Sequence, residues 1–318
     1  MNRLAVLSNA ASRANRAGGL ASLALDGLEL VTHVVTHTVD DVPQALDTLL
    51  AAEPDAVAVN GGDGTIQTLL TACLRRRDVA LLPPLAVLPG GTTNMNARDL
   101  GGGGERRQAL HDFLALRELP RRHWLLRHRP VLHIEVQGAE VYAGLFFGIG
   151  VVVRGVEFWQ RSLRRGPLAV ELGLGAAIAR SAWGLVRRQP PFDVATTITM
   201  QLGTEPERQL EVSCLIVSAL DELILGFRPF WGPGAGPLAC TWMDARPEQF
   251  LRHLSALRRG DEARLAGLDG YHSQRTPSLT LDVAEPWLLD GEVVDAPGRL
   301  DIRASAPLAF IDLAGSAP

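Results

Sequence analysis

The stretch that most constrains this chain is Ala56–Thr65, AVAVNGGDGT. Val57, Ala58 and Val59 form a short apolar run that ends in Asn60, Gly61, Gly62, Asp63, Gly64 and Thr65. Ile66, Leu69 and Leu70 then begin a helix-spaced stripe. That order predicts a buried strand feeding a tight turn into a helix N-terminus. Glycines in such a turn let backbone approach phosphate, free amides point outward, and the helix dipole favours an anion. An acid there repels phosphate unless a divalent cation lies between them. Asp63 therefore points to a nucleotide together with a metal. Read alone, the same turn is an ordinary strand–turn–helix with a capping Asp.

A second turn of the same kind follows within thirty residues. Leu85–Leu88 reads as a strand, then come Pro89, Gly90, Gly91, Thr92, Thr93 and Asn94, and a short helical pattern runs through Arg98 to Leu100 and Gly101. Two such turns on successive strand ends of a parallel sheet face one crevice, where open α/β sheets bind ligands. Far along the chain, Leu288-Leu289-Asp290-Gly291-Glu292 sets two carboxylates around a glycine. By itself that is an ordinary hairpin tip.

Taken together, GGDGT, PGGTTN-x-x-AR-x-LG and the late DGE resemble the diacylglycerol kinase catalytic family, which includes bacterial lipid kinases, sphingosine kinases and ceramide kinases. The resemblance in order and spacing spans roughly residues 4–296. It implies phosphoryl transfer from ATP to a lipid hydroxyl, with magnesium. That chemistry needs a clamp for the γ-phosphate, charge neutralisation and a base beside the hydroxyl. The expected clamp is the amides of Gly61, Gly62, Gly64 and Thr65 and of Gly91, Thr92 and Thr93, with Gly90 and Asn94 completing the second turn. The hydroxyls of Thr65, Thr92 and Thr93 add donors. Asp63 holds magnesium, directly or through water, since this hard ion prefers oxygen ligands. Glu292 is the candidate base, a role the resemblance also implies, and Asp290 orients its loop or joins the metal site. Asn9 matches the family's first-strand asparagine, which lies at the nucleotide, although Ala10 replaces the proline that usually follows. Arg13 and Arg16 are candidate phosphate contacts in a loop that reads equally well as solvated.

Composition narrows the chemistry. All 31 basic residues are arginine. The absence of lysine removes a Walker A lysine, a protein-kinase strand lysine and any Schiff-base mechanism. Phosphate charge is left to arginine, metal and backbone amides. A net charge of −4 argues against nonspecific nucleic-acid binding. Cys73, Cys214 and Cys240 are unclustered, which fits a reducing cytoplasm and no metal framework. The longest apolar run, Ala143–Val153, is too short and too glycine-broken to span a bilayer. Met1–Leu7 leads straight into a strand-like run, so no signal peptide is expected. The expectation is a cytoplasmic protein that meets its lipid peripherally, with a homodimer left open.

In chain order, Leu4–Leu7, Leu30–Val35, Val57–Val59 and Leu85–Leu88 alternate with helical patterns, a βαβ rhythm that predicts a doubly wound parallel sheet. His37, after the second strand, reads as a surface histidine at a helix start. The texture changes after Pro130 to strand-like runs at Val131–Val136, Val141–Phe147, Val194–Leu202, Gln209–Val217, Leu238–Met243, Leu279–Val283 and Gly298–Arg303. Helical patterns interrupt them at Pro167–Arg188 and Pro247–Arg258. The predicted organisation is an α/β nucleotide-binding domain over 1–125 and an antiparallel β-sandwich acceptor domain over 126–318, whose C-terminal segment returns to the first domain.

Three departures from the family bear on the acceptor. Val152 stands where many members carry an acid near the acceptor, so a cationic amine such as sphingosine loses its partner and a neutral diacylglycerol-like lipid is favoured. Asn94-Met95-Asn96 replaces the commoner Asn-Asp-Phe. Thr241–Ala245 is a degenerate form of a middle motif, leaving Asp221 and Asp244 as weak candidates for a structural magnesium. Phe158, Trp159, Arg161, Arg164 and Arg165, and the Phe227–Trp231 tip, combine aromatics with arginines and suit a headgroup surface or a capped core. Two other functions stay open: a soluble-acceptor kinase of the wider NAD-kinase-like superfamily, and a nucleotide-binding module without catalysis.

Overall fold

The computed structural model describes residues 1–16, 19, 25, 27–76, 82–138, 140–162, 180, 181, 183–187 and 189–316. These fall into two compact units, Met1–Val131 with Ala306–Pro318, and Leu132–Ser305. Of the helical pattern over Pro167–Arg188, residues 167–179, 182 and 188 lie outside the described residues, as do Arg164 and Arg165.

The first unit is wound on parallel strands β1 (Leu4–Asn9), β2 (Val31–Thr36), β3 (Ala56–Gly61) and β4 (Leu85–Pro89). They lie in the order β2-β1-β3-β4. β1, β3 and most of β4 are buried continuous apolar runs, as strands covered on both faces must be. Leu4, Val6, Ala58, Ala86 and Leu88 pack on one face with Leu110 and Phe113 of a helix over Arg106–Ala115. By the strand period of two, Ala5, Leu7, Val57, Val59 and Val87 line the other face. Helices α1 (Val42–Ala51) and α2 (Asp63–Arg76) bury Leu46, Leu49, Ile66, Leu69 and Leu70. Full burial of such a side chain stabilises by about 1.5–3 kcal/mol. Two further helices of this unit are α3 (Met95–Asp99) and α4, the Arg106–Ala115 helix. β5 (Leu126–Arg129) closes the sheet edge.

The second unit is built on one antiparallel sheet that curls on itself. Its strands are β6 (Leu132–Val136), β7 (Val141–Gly144), β8 (Phe146–Gly150), β9 (Thr196–Leu202), β10 (Arg208–Ser218) and β11 (Leu238–Asp244). β12 (Tyr271–Thr276), β13 (Ser278–Val283), β14 (Trp287–Leu289), β15 (Glu292–Val294) and β16 (Gly298–Ala304) follow. The path runs β15-β14-β8-β10-β9-β13-β16-β6-β7, with β11 against β10 and β12 against β11. β10 turns the corner. Its first half pairs with β9 and its second half with β8 and β11, and the register shifts between Val212 and Cys214. A bulge of this kind bends a strand enough to change partners. Helix α5 (Val151–Ser162) follows β8, and α6 (Phe250–Arg259) and α7 (Glu262–Leu265) lie between β11 and β12.

The chain then returns to the first unit. β17 (Leu308–Ile311) inserts between β4, to which it is parallel, and β5, to which it is antiparallel. A last turn, α8 (Leu313–Ser316), starts with the Leu313 amide donating to Gly101 O at 3.0 Å.

Candidate functional site

In the first unit the two glycine-rich turns pack directly on each other. A Cβ on Gly90 would lie 2.9 Å from Gly61 O, and one on Gly91 would lie 2.5 Å from Gly62 Cα. The Gly90 amide donates to Gly61 O at 3.0 Å. These glycines are required by backbone-to-backbone contact as well as by any ligand. Gly91→Ala should therefore push the turns apart, lowering stability by about 1–3 kcal/mol and weakening nucleotide binding. Thermal melts and ATP titration of the variant would check both.

Asp63 clasps the second turn to the first. It opens α2 and is 8% exposed. Its Oδ2 accepts from Thr93 Oγ1 at 2.5 Å and the Met95 amide at 3.2 Å, and Oδ1 accepts from the Asn96 amide at 2.9 Å. Two of these donors are amides at the start of α3, so the carboxylate caps that helix. Burial pushes the Asp63 carboxyl above its ordinary value, and the three hydrogen bonds oppose that shift. A carboxylate presents about four lone-pair positions, so one on Oδ1 is left for a further donor or a cation. Asn94 precedes α3 with φ 48°, the left-handed region asparagine tolerates, and its Oδ1 accepts from the Gly91 amide at 2.8 Å. The Thr65 amide donates to Gly62 O at 2.9 Å. Two amides of the expected clamp, Gly91 and Thr65, are thus spent inside the turns.

A buried amide network lies at the ends of β1 and β3. Asn9 Nδ2 donates to Thr65 Oγ1 at 3.0 Å while Asn9 Oδ1 accepts from the Ala11 amide. Asn60, fully buried, donates to Ser8 Oγ at 3.0 Å and Asn15 Oδ1 at 3.1 Å. The first unit therefore gathers Asn9, Gly61, Gly62, Asp63, Gly64, Thr65, Gly90, Gly91, Thr92, Thr93 and Asn94 at the C-terminal ends of β1, β3 and β4. Asn15, Asn60 and Arg106 belong to the same neighbourhood, though their residue types carry no motif. Arg16 Nε donates to Ala11 O at 2.7 Å. His37 is exposed, and its amide donates to Asp41 Oδ2 at 2.7 Å at a short helical turn.

In the second unit, Asp290 and Glu292 sit on a two-residue hairpin between β14 and β15. Asp290 and Gly291 have φ of 48° and 92°, the mirror-image turn that right-twisted strands favour. The two carboxylates have different surroundings. Asp290 is 4% exposed and accepts from the amides of Leu145 (3.1 Å) and Phe146 (2.9 Å). Its own amide donates to Phe146 O. Glu292 is exposed. Trp287, fully buried, anchors the hairpin through Nε1 donating to Ala296 O at 2.9 Å and a 5.5 Å ring contact with Phe147. An exposed carboxylate thus stands on a firmly held base. Val152 packs on the same strand pair, its Cγ2 2.6 Å from where a Gly148 Cβ would lie, and Gly148 pairs with Leu288. Arg154 is tied to Glu285 at 3.2 Å.

The remaining candidates are modest. Among the described residues no three His, Cys, Asp or Glu side chains gather as a metal cluster. Asp244 meets His272 Nε2 at 3.2 Å. Phe158 and Trp159 are half-buried, Phe158 against Phe192, and Arg161 lies 3.6 Å from Glu157. Arg228 pairs with Glu222. Among the described residues no helix is long and apolar enough to cross a membrane.

With this geometry in view, the decisive observation is a family match: residues 3–121 fit the diacylglycerol kinase catalytic domain. The chain carries that domain. No curated protein sequence matches it. Among solved structures, a diacylglycerol kinase from Bacillus anthracis str. Sterne is 15% identical at a TM-score of 0.61, covering 98% of this chain and 96% of that one. A second structure from the same organism, provisionally assigned as a diacylglycerol kinase, gives a TM-score of 0.65 at 15% identity over the same shares of both chains. Yeast NADH kinase is similar at 9% identity and a TM-score of 0.50, covering 98% of this chain and 83% of that one. At these identities the likeness is one of fold, and it extends the two-unit architecture beyond the matched residues. The diacylglycerol kinase domain holds both glycine turns and Asp63, and the Asp290–Glu292 hairpin lies outside the match. Residues 3–121 are accordingly a diacylglycerol kinase catalytic domain, set in a two-unit fold that resembles those kinases.

Proposed function

We propose that the chain transfers the γ-phosphoryl group of ATP, with magnesium, to the hydroxyl of a neutral diacylglycerol-like lipid. The observation that carries this reading is the clasp between the two turns, in which Asp63 accepts from Thr93, Met95 and Asn96. A pair of glycine turns suits a triphosphate, and the buried acid that binds them suits one when a divalent cation lies between the two. In this reading Asn9, Gly61, Gly62, Gly64, Thr65, Gly90, Gly91, Thr92, Thr93 and Asn94 shape the phosphate-binding loops. Asp63 is the metal's protein ligand, with one lone pair uncommitted and no second acid needed, since magnesium commonly takes one or two carboxylates and keeps phosphates and waters. Bound there, the ion would neutralise phosphate charge as it develops. Glu292 accepts the proton of the lipid hydroxyl as its oxygen bonds to the γ-phosphorus and the bridge to ADP breaks. Asp290 positions that glutamate. The enzyme works at the surface of a membrane from the cytoplasmic side.

The test is transfer of labelled γ-phosphate to detergent-dispersed diacylglycerol, monoacylglycerol, sphingosine and ceramide, beside water-soluble acceptors. Labelled diacylglycerol is the expected product. Label only in a soluble acceptor would replace the lipid reading, and ATP binding without turnover would point to a binding module. Val152→Asp adds a second expectation. A carboxylate in the first turn of α5 should move the sphingosine-to-diacylglycerol rate ratio upward by about tenfold, as a charge-assisted hydrogen bond to the amine is worth ~1.5–3 kcal/mol. An unchanged ratio would remove Val152 from acceptor choice.

A further inference from the structure

We propose that Arg106 is a positioning residue for the phosphate-donor loops, acting through Asn15. The inference rests on the ATP reading above and adds a residue that no motif marks. Arg106 is the first residue of α4, and Arg107 follows it. A cation in the first turn opposes the helix dipole, so its placement calls for a local partner. That partner is present. Arg106 Nη1 donates to Asn15 Oδ1, and Nη2 donates to Gly19 O at 3.3 Å.

Asn15 is 4% exposed and uses its whole hydrogen-bonding capacity. Nδ2 donates to Asn9 O at 2.8 Å and Asn60 O at 3.1 Å, while Oδ1 accepts from Asn60 Nδ2 and from Arg106. The two backbone carbonyls settle which way the amide faces, because a flipped amide would set oxygen against oxygen. Asn15 therefore fastens the ends of β1 and β3 together, directly beside Asn9, which holds Thr65 Oγ1. Among the described residues Arg106 supplies the one charged donor in this network, and hydrogen bonds to charged groups are the stronger ones. Without it, Asn15 Oδ1 keeps a single donor and the loop after β1 loses its tie to α4. The loops on which Asn9 and Thr65 sit then lose pre-organisation for phosphate.

The experiment compares the full-length wild type with Arg106→Ala, Arg106→Gln, Asn15→Ala, the Arg106→Ala/Asn15→Ala double variant and Arg107→Ala. ATP affinity with magnesium, the KM for ATP against kcat, and thermal melting are read for each. Arg106→Ala should raise both the ATP Kd and its KM about tenfold, with kcat within about twofold. Asn15→Ala should do likewise, and the double variant should cost no more than the worse single one, because both cut the same link. Exposed Arg107→Ala should bind as wild type does. Wild-type ATP affinity in Arg106→Ala, additive losses in the double variant, or an equal loss in Arg107→Ala would each overturn the assignment. Should Arg106→Ala fail to fold, Arg106→Gln decides on the same criteria. Failure of the wild type itself to bind ATP would overturn the nucleotide reading, and this role with it.

Discussion

Asp63→Asn should lower phosphoryl transfer about a thousandfold, a loss of ~4 kcal/mol of transition-state stabilisation, while the chain still folds. The side chain is nearly isosteric. An asparagine oxygen can still accept from the Asn96 amide, and its NH2 can face Thr93 Oγ1, which is able to accept. Only the contact with the Met95 amide becomes donor against donor. The expected stability cost is about 1–2 kcal/mol, small beside the catalytic loss. Charge is what disappears. In the proposed reading the carboxylate shares a cation with the triphosphate, which a neutral asparagine cannot do as well. Melting temperature and transfer rate measured together separate the two effects, and a variant that melts normally and still transfers would remove Asp63 from the chemistry.

The same substitution has a pH signature. Because burial raises the folded-state value above the ordinary 3.8, the folded chain holds this proton more readily than the unfolded chain. The stabilising contribution is complete below the ordinary value and is lost as pH rises through the raised one. Asp63→Asn should flatten that limb of the stability profile. Magnesium favours the ionised form, so ATP binding by the wild type should strengthen over the same rise in pH.

Glu292→Gln should lower kcat by about 10²–10⁴-fold, the range for general acid–base catalysis, with ATP affinity unchanged. Glutamine keeps the size of the side chain and cannot take a proton. Since Glu292 is exposed and its hairpin is held by Asp290 and Trp287, the substitution costs the fold nothing measurable. Asp290→Asn should behave differently. It weakens the ties to the Leu145 and Phe146 amides and should lower stability as well as rate. A Glu292→Gln enzyme with full activity would transfer the base role elsewhere.

Much of this architecture is legible along the chain, and the reason is local. Buried parallel strands must be continuous apolar runs, so Val57–Val59 and Leu85–Leu88 announce themselves, and glycines mark the turns that follow. The positions of β1 to β4 and the hairpin at Asp290-Gly291 follow from the same rules. β12 and β17 escape them. Tyr271–Thr276 carries polar residues on a half-covered strand, and Leu308–Ile311 is too short to distinguish from a terminal tail until β4 and β5 receive it.

Residue identity and spacing were sufficient for the alternation of β1 to β4 with helices and for the two glycine-rich turns that follow β3 and β4. Those properties depend on neighbours within a few positions. The partners of the candidate acids needed the assembled chain. Asp63 is bound to residues some thirty positions away, Arg106 to one some ninety positions earlier, and Asp290 to amides more than a hundred and forty positions before it. No periodicity encodes such pairings. They arise because strand order brings distant loop ends to one edge of a sheet, where buried polar groups must find whatever donors the fold has placed there.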